Sequence, residues 1–353
     1  MTMLPFRVEI TTRAIEDLHR RMSAMRWPEI PFETGWSAGT DAATLRRFVR
    51  DWRFRFDWMA LQARLNRLPH VRGVVGGDEL HAVLLTGVGH GRMPLLMLHD
   101  APGSFLDLLS VGGLLSEGGG GAPFDVVIPS LPGFGFSEPP QEAGMHPARM
   151  AERMHALMRT LGYPRYGVQG GGWGATIATR LAQQRPESVA ALHLHSLLPP
   201  PGEGHETPHA RLAGARPQAL AFALNDSPIG LLAWTLDELW TASGGDEALW
   251  QSLDRDLVFE TVTLCWLSGT ALSAARLQYE AAREPAASHS SPVDVPTAFA
   301  RFPSDREIPS RSAIEQSYRI ERWTEMPRGG RFAALQEPRL LAGDITAAFR
   351  VLG

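Results

Sequence analysis

The run Gln169-Gly170-Gly171-Gly172-Trp173-Gly174 has the spacing of a turn that displays one reactive side chain: small residue, X, nucleophile, X, small residue. Such a turn joins a strand to a helix, and Gly170 and Gly174 fill its two small positions. The displayed position is Gly172, which has no side chain to react. Backbone chemistry survives that loss. The Trp173 N–H at the start of the following helix can receive negative charge, and a helix N-terminus favours an anion. A second donor is expected at Ala101, in Leu98-His99-Asp100-Ala101-Pro102-Gly103-Ser104. Asp100 in that loop has two readings: a proton donor or base if burial raises its pKa, or an Asx contact that stabilises the loop.

Composition closes off other chemistry. All 34 basic residues are Arg, so no lysine is present for a Schiff base or a lysine general base. The single cysteine, Cys265, lies in Leu264-Cys265-Trp266-Leu267 and reads as a small buried hydrophobe; it cannot close an internal disulfide or build a multi-cysteine zinc site. His193 and His195 alternate along a strand pattern with no third ligand in view, so neither a metal nor a cofactor is expected. A net charge of −4 and 44% hydrophobic residues give no basic surplus for nucleic acid and no charged tail for a membrane surface. The first ten residues lack the form of a signal peptide, and no run approaches the ~18 apolar residues of a spanning helix. The expectation is a soluble cytoplasmic protein with a small-molecule substrate, compatible with a homodimer.

These groups need elements to hold them. Apolar spacing predicts an amphipathic helix over 12–25, with Ile15, Leu18 and Met22 on one face, broken by Pro28 and Pro31. A second helical stretch is predicted over 42–65, with Leu45, Phe48, Trp52 and Phe56 at helical spacing. From Val71 the pattern changes to short apolar runs at 81–86, 94–99, 124–129, 166–169 and 190–195, each ending in a Gly- or Pro-rich loop as buried parallel strands do. The run 115–123 holds four glycines, Gly118 to Gly121, and reads as a surface connection. A Pro/Gly-rich stretch at 199–207 leads into a helical block at about 216–283, which interrupts the alternation until it resumes at 296–302 and ends in a helix at 345–352.

In order along the chain, these pieces resemble the microsomal-type epoxide hydrolases from about Leu4 to Leu352. PFRVEI, RWP, FDW and LNRLPH are similar to the family's N-terminal arm, and HDAPGS to its oxyanion loop HGWPGS. PSLPGFGFS matches PSLPGYGFS, LGYPRYGVQGGGWGA matches the elbow segment, and MPRGGRFAA resembles MPRGGHFAA. ALNDSP and Trp266 with Ser268-Gly269-Thr270 are similar to cap segments. The resemblance implies an α/β-hydrolase fold with a mostly parallel eight-stranded sheet. It implies an arm at 1–75, a core at 76–199 and 291–353, and a helical cap at 200–290. The arm, with Trp27, Trp52 and Trp58, is expected to bury itself against the hydrolase body.

In the family an elbow Asp attacks an epoxide carbon, two cap tyrosines protonate the ring oxygen, and a His–acid pair activates water against the ester. Carried over residue by residue, the nucleophile's place is Gly172, the base's place is Arg331 and the acid's place is Asp305. The cap tyrosines fall on His209 and on Gln278, with Tyr279 beside it. An arginine stays protonated and cannot deprotonate water, so the two-step hydrolysis loses nucleophile, base and acids together. Arg331 then either faces the pocket as a fixed cation or pairs with Asp305 in the old His–acid geometry. Ala101 stands where the family has Trp, so loss of an indole and a carboxymethyl group should open on the order of 100 Å3 in the pocket floor.

The expected working residues are Asp100, Ala101, Trp173, Arg331, Asp305 and His209, and the expected substrate contacts His99, Gln169, Trp173, Gln278 and Tyr279. Three functions stay open. One is an atypical enzyme that opens, cyclises or couples a bulky apolar electrophile without a covalent intermediate, by positioning and oxyanion stabilisation. The family's use on polyketide and enediyne epoxides is the association behind that reading. The others are a non-catalytic carrier or resistance protein for such a metabolite, and an ordinary hydrolase with a nucleophile elsewhere; Ser104 and Ser137 match non-nucleophilic family positions.

Overall fold

The chain's first helices, Thr12–Ser23, Ala42–Arg55 and Trp58–Leu65, all start on side-chain caps: Thr11, Asp41 and Asp57 accept hydrogen bonds from first-turn N–H groups. The stretch expected as one helix over 42–65 is therefore two. Asp57 accepts from both Met59 N and Ala60 N, which restarts the helix after an extended Phe56. The computed structural model describes residues 2–352 apart from 33, 91, 119–120, 200–206, 246, 248, 286–290 and 306–307. Most of the expected 199–207 connection, two of the four glycines at 118–121 and the end of the expected cap lie outside the described residues.

The sheet is built from β1 (Leu4–Pro5), β2 (His70–Val75), β3 (Asp78–Leu85), β4 (Met93–Leu98), β5 (Phe124–Pro129), β6 (Tyr166–Gly171), β7 (Val189–His195), β8 (Val293–Arg301) and β9 (Tyr318–Glu325). Their order across the sheet is β1-β2-β3-β5-β4-β6-β7-β8-β9. Pairing is antiparallel from β1 to β5 through β3, and parallel from β5 through β4 to β9. This is the mostly parallel α/β-hydrolase sheet, with the two-residue β1 of the arm added at its edge. The runs Leu95 to Leu98, Val126 to Ile128 and Ala191 to Leu194 are buried because helices cover both faces. β9 carries Arg and Glu at alternate exposed positions, as an edge strand should.

Above the sheet's C-terminal ends lie the cap helices Pro208–Ala215, Pro217–Asp226, Pro228–Ala242, Arg255–Ser268 and Ala271–Ala281. Proline at the first position fixes three of these starts, and Gly269 in the left-handed region closes Arg255–Ser268. The arm's placement corrects the expectation. Of the three expected tryptophans only Trp58, with Val8, Leu61 and Leu65, joins the core cluster of the hydrolase body; Leu18, Met22, Phe48 and Trp52 pack instead with Leu232, Leu236, Phe259 and Val262 of the cap. Trp52 Nε1 donates to Thr263 Oγ1 at 2.8 Å, and Trp36 stacks on Trp240 with ring centroids 4.5 Å apart. Trp27 is half-buried beneath the Arg46 guanidinium.

Candidate active site

β4 and β6 are parallel neighbours, with Leu98 opposite Gly170, so the loop after one strand and the elbow after the other leave the sheet side by side. At the elbow the close approach is real: a Cβ on Gly174 would fall 2.1 Å from the Leu98 carbonyl oxygen, and one on Gly170 2.4 Å from the Gly174 backbone. Gly172 caps the helix Trp173–Gln184 with φ 55° and ψ −121°, a conformation L side chains rarely adopt. The sequence motif thus forms its turn, and the space above Gly172 is taken by another residue.

That residue is Asp100. A Cβ built on Gly172 would lie 2.2 Å from Cγ, Oδ1 and Oδ2 of Asp100. Oδ1 accepts from Trp173 N at 2.8 Å and from Ala101 N at 2.7 Å. Arg331 closes the other side: its Nε donates to Oδ2 at 2.7 Å and Nη2 to Oδ1 at 3.2 Å. Nη2 also donates to the Ala101 carbonyl at 3.2 Å. Both side chains are about nine-tenths buried. The two N–H groups expected to face a substrate anion are therefore occupied by a carboxylate of the chain itself. Arg331 pairs with Asp100 where Asp305 was expected, because the Asp100 loop leaves the sheet beside the elbow and its carboxylate fills the space over Gly172. Asp305 is buried and borders a different cleft, with Arg301, Arg311, Trp323 and Glu325.

Between elbow and cap lies a cavity of about 80 Å3, walled mainly by apolar side chains. Ala101, Trp173 and Gln278 line it as expected; Asp100, Arg331, His209, His99, Gln169, Tyr279 and Asp305 do not. Each has a physical reason. Asp100 and Arg331 are consumed by their own pair beneath the floor, so the room gained by losing a carboxymethyl group at Gly172 is refilled and only the Ala101 opening remains. His99 is buried under the loop, its Nε2 accepting from Leu131 N and Nδ1 lying 2.8 Å from the Asp100 carbonyl, and burial lowers its pKa to about 4. Gln169 is fully buried below the elbow with Nε2 3.4 Å from His195 Nδ1. Burial likewise holds His195 down at about 3, and His193 turns to Asp344 at 3.0 Å. His209 pairs with Asp237 at 3.0 Å and sets its ring against Trp234. Tyr279, one residue beyond Gln278 on its helix, lies under the Arg283 guanidinium, 3.5 Å from the ring centroid.

Sequence reasoning missed several polar groups at the cavity. Cys265, expected in the core, borders it, and burial pushes its thiol up to about 11. Asp107 sits just behind Gly103 and Ser104, accepting from Ser104 N and Thr261 Oγ1. Burial raises its pKa to about 7. Glu238 faces the cavity from the helix Pro228–Ala242. Its signal was legible: Leu231, Trp234, Thr235 and Glu238 all line the cavity at helical spacing, so the acid sits on an otherwise largely apolar stripe.

Residues 3–108 match the family described as "Epoxide hydrolase N terminus", and residues 94–216 that described as "alpha/beta hydrolase fold". A putative epoxide hydrolase of Stigmatella aurantiaca is 34% identical over 99% of this chain and 85% of its own length. The chain belongs to the epoxide hydrolase family. Epoxide hydrolase 1 of Oryctolagus cuniculus is 29% identical over 97% of this chain and 87% of its own. Among solved epoxide hydrolases, the crystal structure of juvenile hormone epoxide hydrolase from the silkworm Bombyx mori superposes with a TM-score of 0.90 at 25% identity, covering 99% of this chain and 94% of that one.

Proposed function

We propose that this epoxide hydrolase family member binds an apolar epoxide, or a kindred electrophile, under the cap and promotes its opening, cyclisation or carbon–carbon coupling without an enzyme ester. One observation carries the reading: Asp100 Oδ1 holds the elbow's Trp173 N–H and the loop's Ala101 N–H while Gly172 presents no attacking atom. A carboxylate fixed by two N–H bonds and an arginine fork is stabilised as an anion and is a poor nucleophile. Oxyanion stabilisation of the substrate by those N–H groups, expected from the sequence, drops out of the scheme. Positioning remains, and holding a substrate's own nucleophile against its electrophilic carbon is worth roughly 7–11 kcal/mol. A role in secondary metabolism, on polyketide-like epoxides, is consistent with the apolar walls and with Ala101 in the floor.

A second reading has its own observation: the Asp100 carboxylate occupies the volume of the missing nucleophile, so Asp100 could act as an elbow nucleophile supplied from the neighbouring loop. Single-turnover experiments in water labelled with heavy oxygen separate the two. Styrene oxide should give no diol above background and no mass adduct, whereas an aryl γ,δ-epoxy alcohol should cyclise without label uptake. An ester trapped on Asp100 would establish the second reading instead. Binding of such ligands with no conversion would mark a carrier.

A further inference from the structure

Among the described lining residues one carries a carboxyl group, and it comes from the cap. Glu238 lies on the same helix face as Leu231, Trp234 and Thr235, so its side chain points to the cavity rather than to bulk water. Cys265 and Gln278 border the same space from the helices Arg255–Ser268 and Ala271–Ala281, while Ala101 and Trp173 form the floor from the core. A substrate in contact with that floor is held between the elbow and the Glu238 carboxyl. Among the described lining residues no tyrosine is present to serve as an acid.

We propose that Glu238 is a catalytic acid, donating its proton to the oxygen of a bound epoxide as the ring opens. This rests on the ring-opening reading above. The balance is simple. The C–O bond breaks, its electron pair stays on oxygen, and that oxygen takes the Glu238 proton. The carbon is captured by a hydroxyl of the substrate or by water, whose proton returns to the Glu238 carboxylate directly or through solvent. No oxidant, reductant or metal enters.

The charged surroundings fit a proton donor at neutral pH. Burial against the apolar wall pushes the Glu238 carboxyl up to about 8, opposed by Arg331 and the Trp234 indole, and assisted by the negative charges of Asp100 and Asp237. Asp237 on the same helix is shared with His209, and Cys265 faces Glu238 with its thiol protonated. The Asp100–Arg331 pair largely cancels its own field, which leaves desolvation in control. A raised carboxyl pKa keeps the acid loaded below about 8, so a Glu238-dependent rate is present there and is lost as pH rises through that value.

The test uses the full chain, an aryl γ,δ-epoxy alcohol as substrate, and infrared difference spectra taken on adding trans-stilbene oxide. Glu238→Gln should lower kcat by roughly 100-fold or more with little change in KM, and should abolish the alkaline fall in the rate. Glu238→Asp should recover part of the rate and restore the pH limb. The spectrum of the unmodified protein should show a protonated-carboxyl band that shifts on ligand addition and is missing from Glu238→Gln. Turnover that is undiminished in Glu238→Gln overturns the assignment and leaves the ring-opening reading standing. Absent turnover with the band shift intact overturns the ring-opening reading while leaving Glu238 as the group that meets the ligand oxygen. Neither turnover nor band response overturns both.

Discussion

Asp100 and Gly172 share one volume: the Asp100 carboxyl atoms lie 2.2 Å from where a Cβ on Gly172 would be. The two positions are therefore coupled, and neither residue can be changed freely without the other. A glycine at the elbow admits the loop acid, and the loop acid then engages the donors that the turn leaves exposed.

The first prediction exploits that coupling. Gly172→Asp alone forces a side chain at φ 55° into the Asp100 carboxylate. The exchange Asp100→Gly with Gly172→Asp relieves the clash and returns a carboxylate to the elbow. The exchanged protein should be more stable than Gly172→Asp alone by about 3 kcal/mol, the scale on which a displaced buried pair is felt. Urea unfolding measures this, and equal midpoints would contradict the shared-volume account. With styrene oxide the exchanged protein should form an ester that persists, because Arg331 cannot generate hydroxide.

Arg331 is the second target. Arg331→Met removes the fork from Oδ2 and Oδ1 of Asp100 and leaves a largely buried carboxylate held only by Trp173 N and Ala101 N. Loss of about 3 kcal/mol is expected, and Asp100→Asn in the same chain should recover part of it. Simple additivity in that double-mutant cycle would show that the pair carries no coupling.

Ala101→Trp tests the cavity. The indole should fill the space beside Trp173 and abolish binding of trans-stilbene oxide in calorimetry, while the melting temperature stays within a few degrees. Retained binding would place the ligand elsewhere.

His195 provides a pH prediction. Its folded pKa, about 3 through burial, lies below the unfolded value, so the neutral ring is favoured in the folded protein. Its stabilising share is present above pH 6.5 and is lost as pH falls toward 3. Between pH 6.5 and 5 this amounts to about 2 kcal/mol. His195→Gln should flatten the unfolding free energy across that window, read from urea midpoints. An unchanged slope would assign the acid lability to other groups.

The sheet and the elbow were legible because they are written locally: apolar runs of strand length, each closed by Gly or Pro, and small residues where backbone meets backbone at Gly170 and Gly174. The break at Phe56 was hidden, since it depends on Asp57 capping a helix that periodicity alone continues. Of the two readings of Arg331, a cation facing the pocket or a pair with Asp305, neither names Asp100, because that partner depends on which loops converge over an empty Gly172. Long-range geometry of that kind has no local signature. Glu238 differs: the family's acid positions fall on His209 and beside Tyr279, while the lone acid on an apolar helical face carries the local sign of a cavity carboxyl.

The arm's attachment to the cap bears on traffic in and out of the cavity. The Trp52–Thr263 bond and the stacked Trp36 and Trp240 fasten the chain's beginning to the roof over the ligand. A roof so fastened cannot lift as an independent flap. Raising it means peeling the arm's tryptophans from their neighbours at the same time, which ties any opening of the cap to a contact far from the reacting atoms.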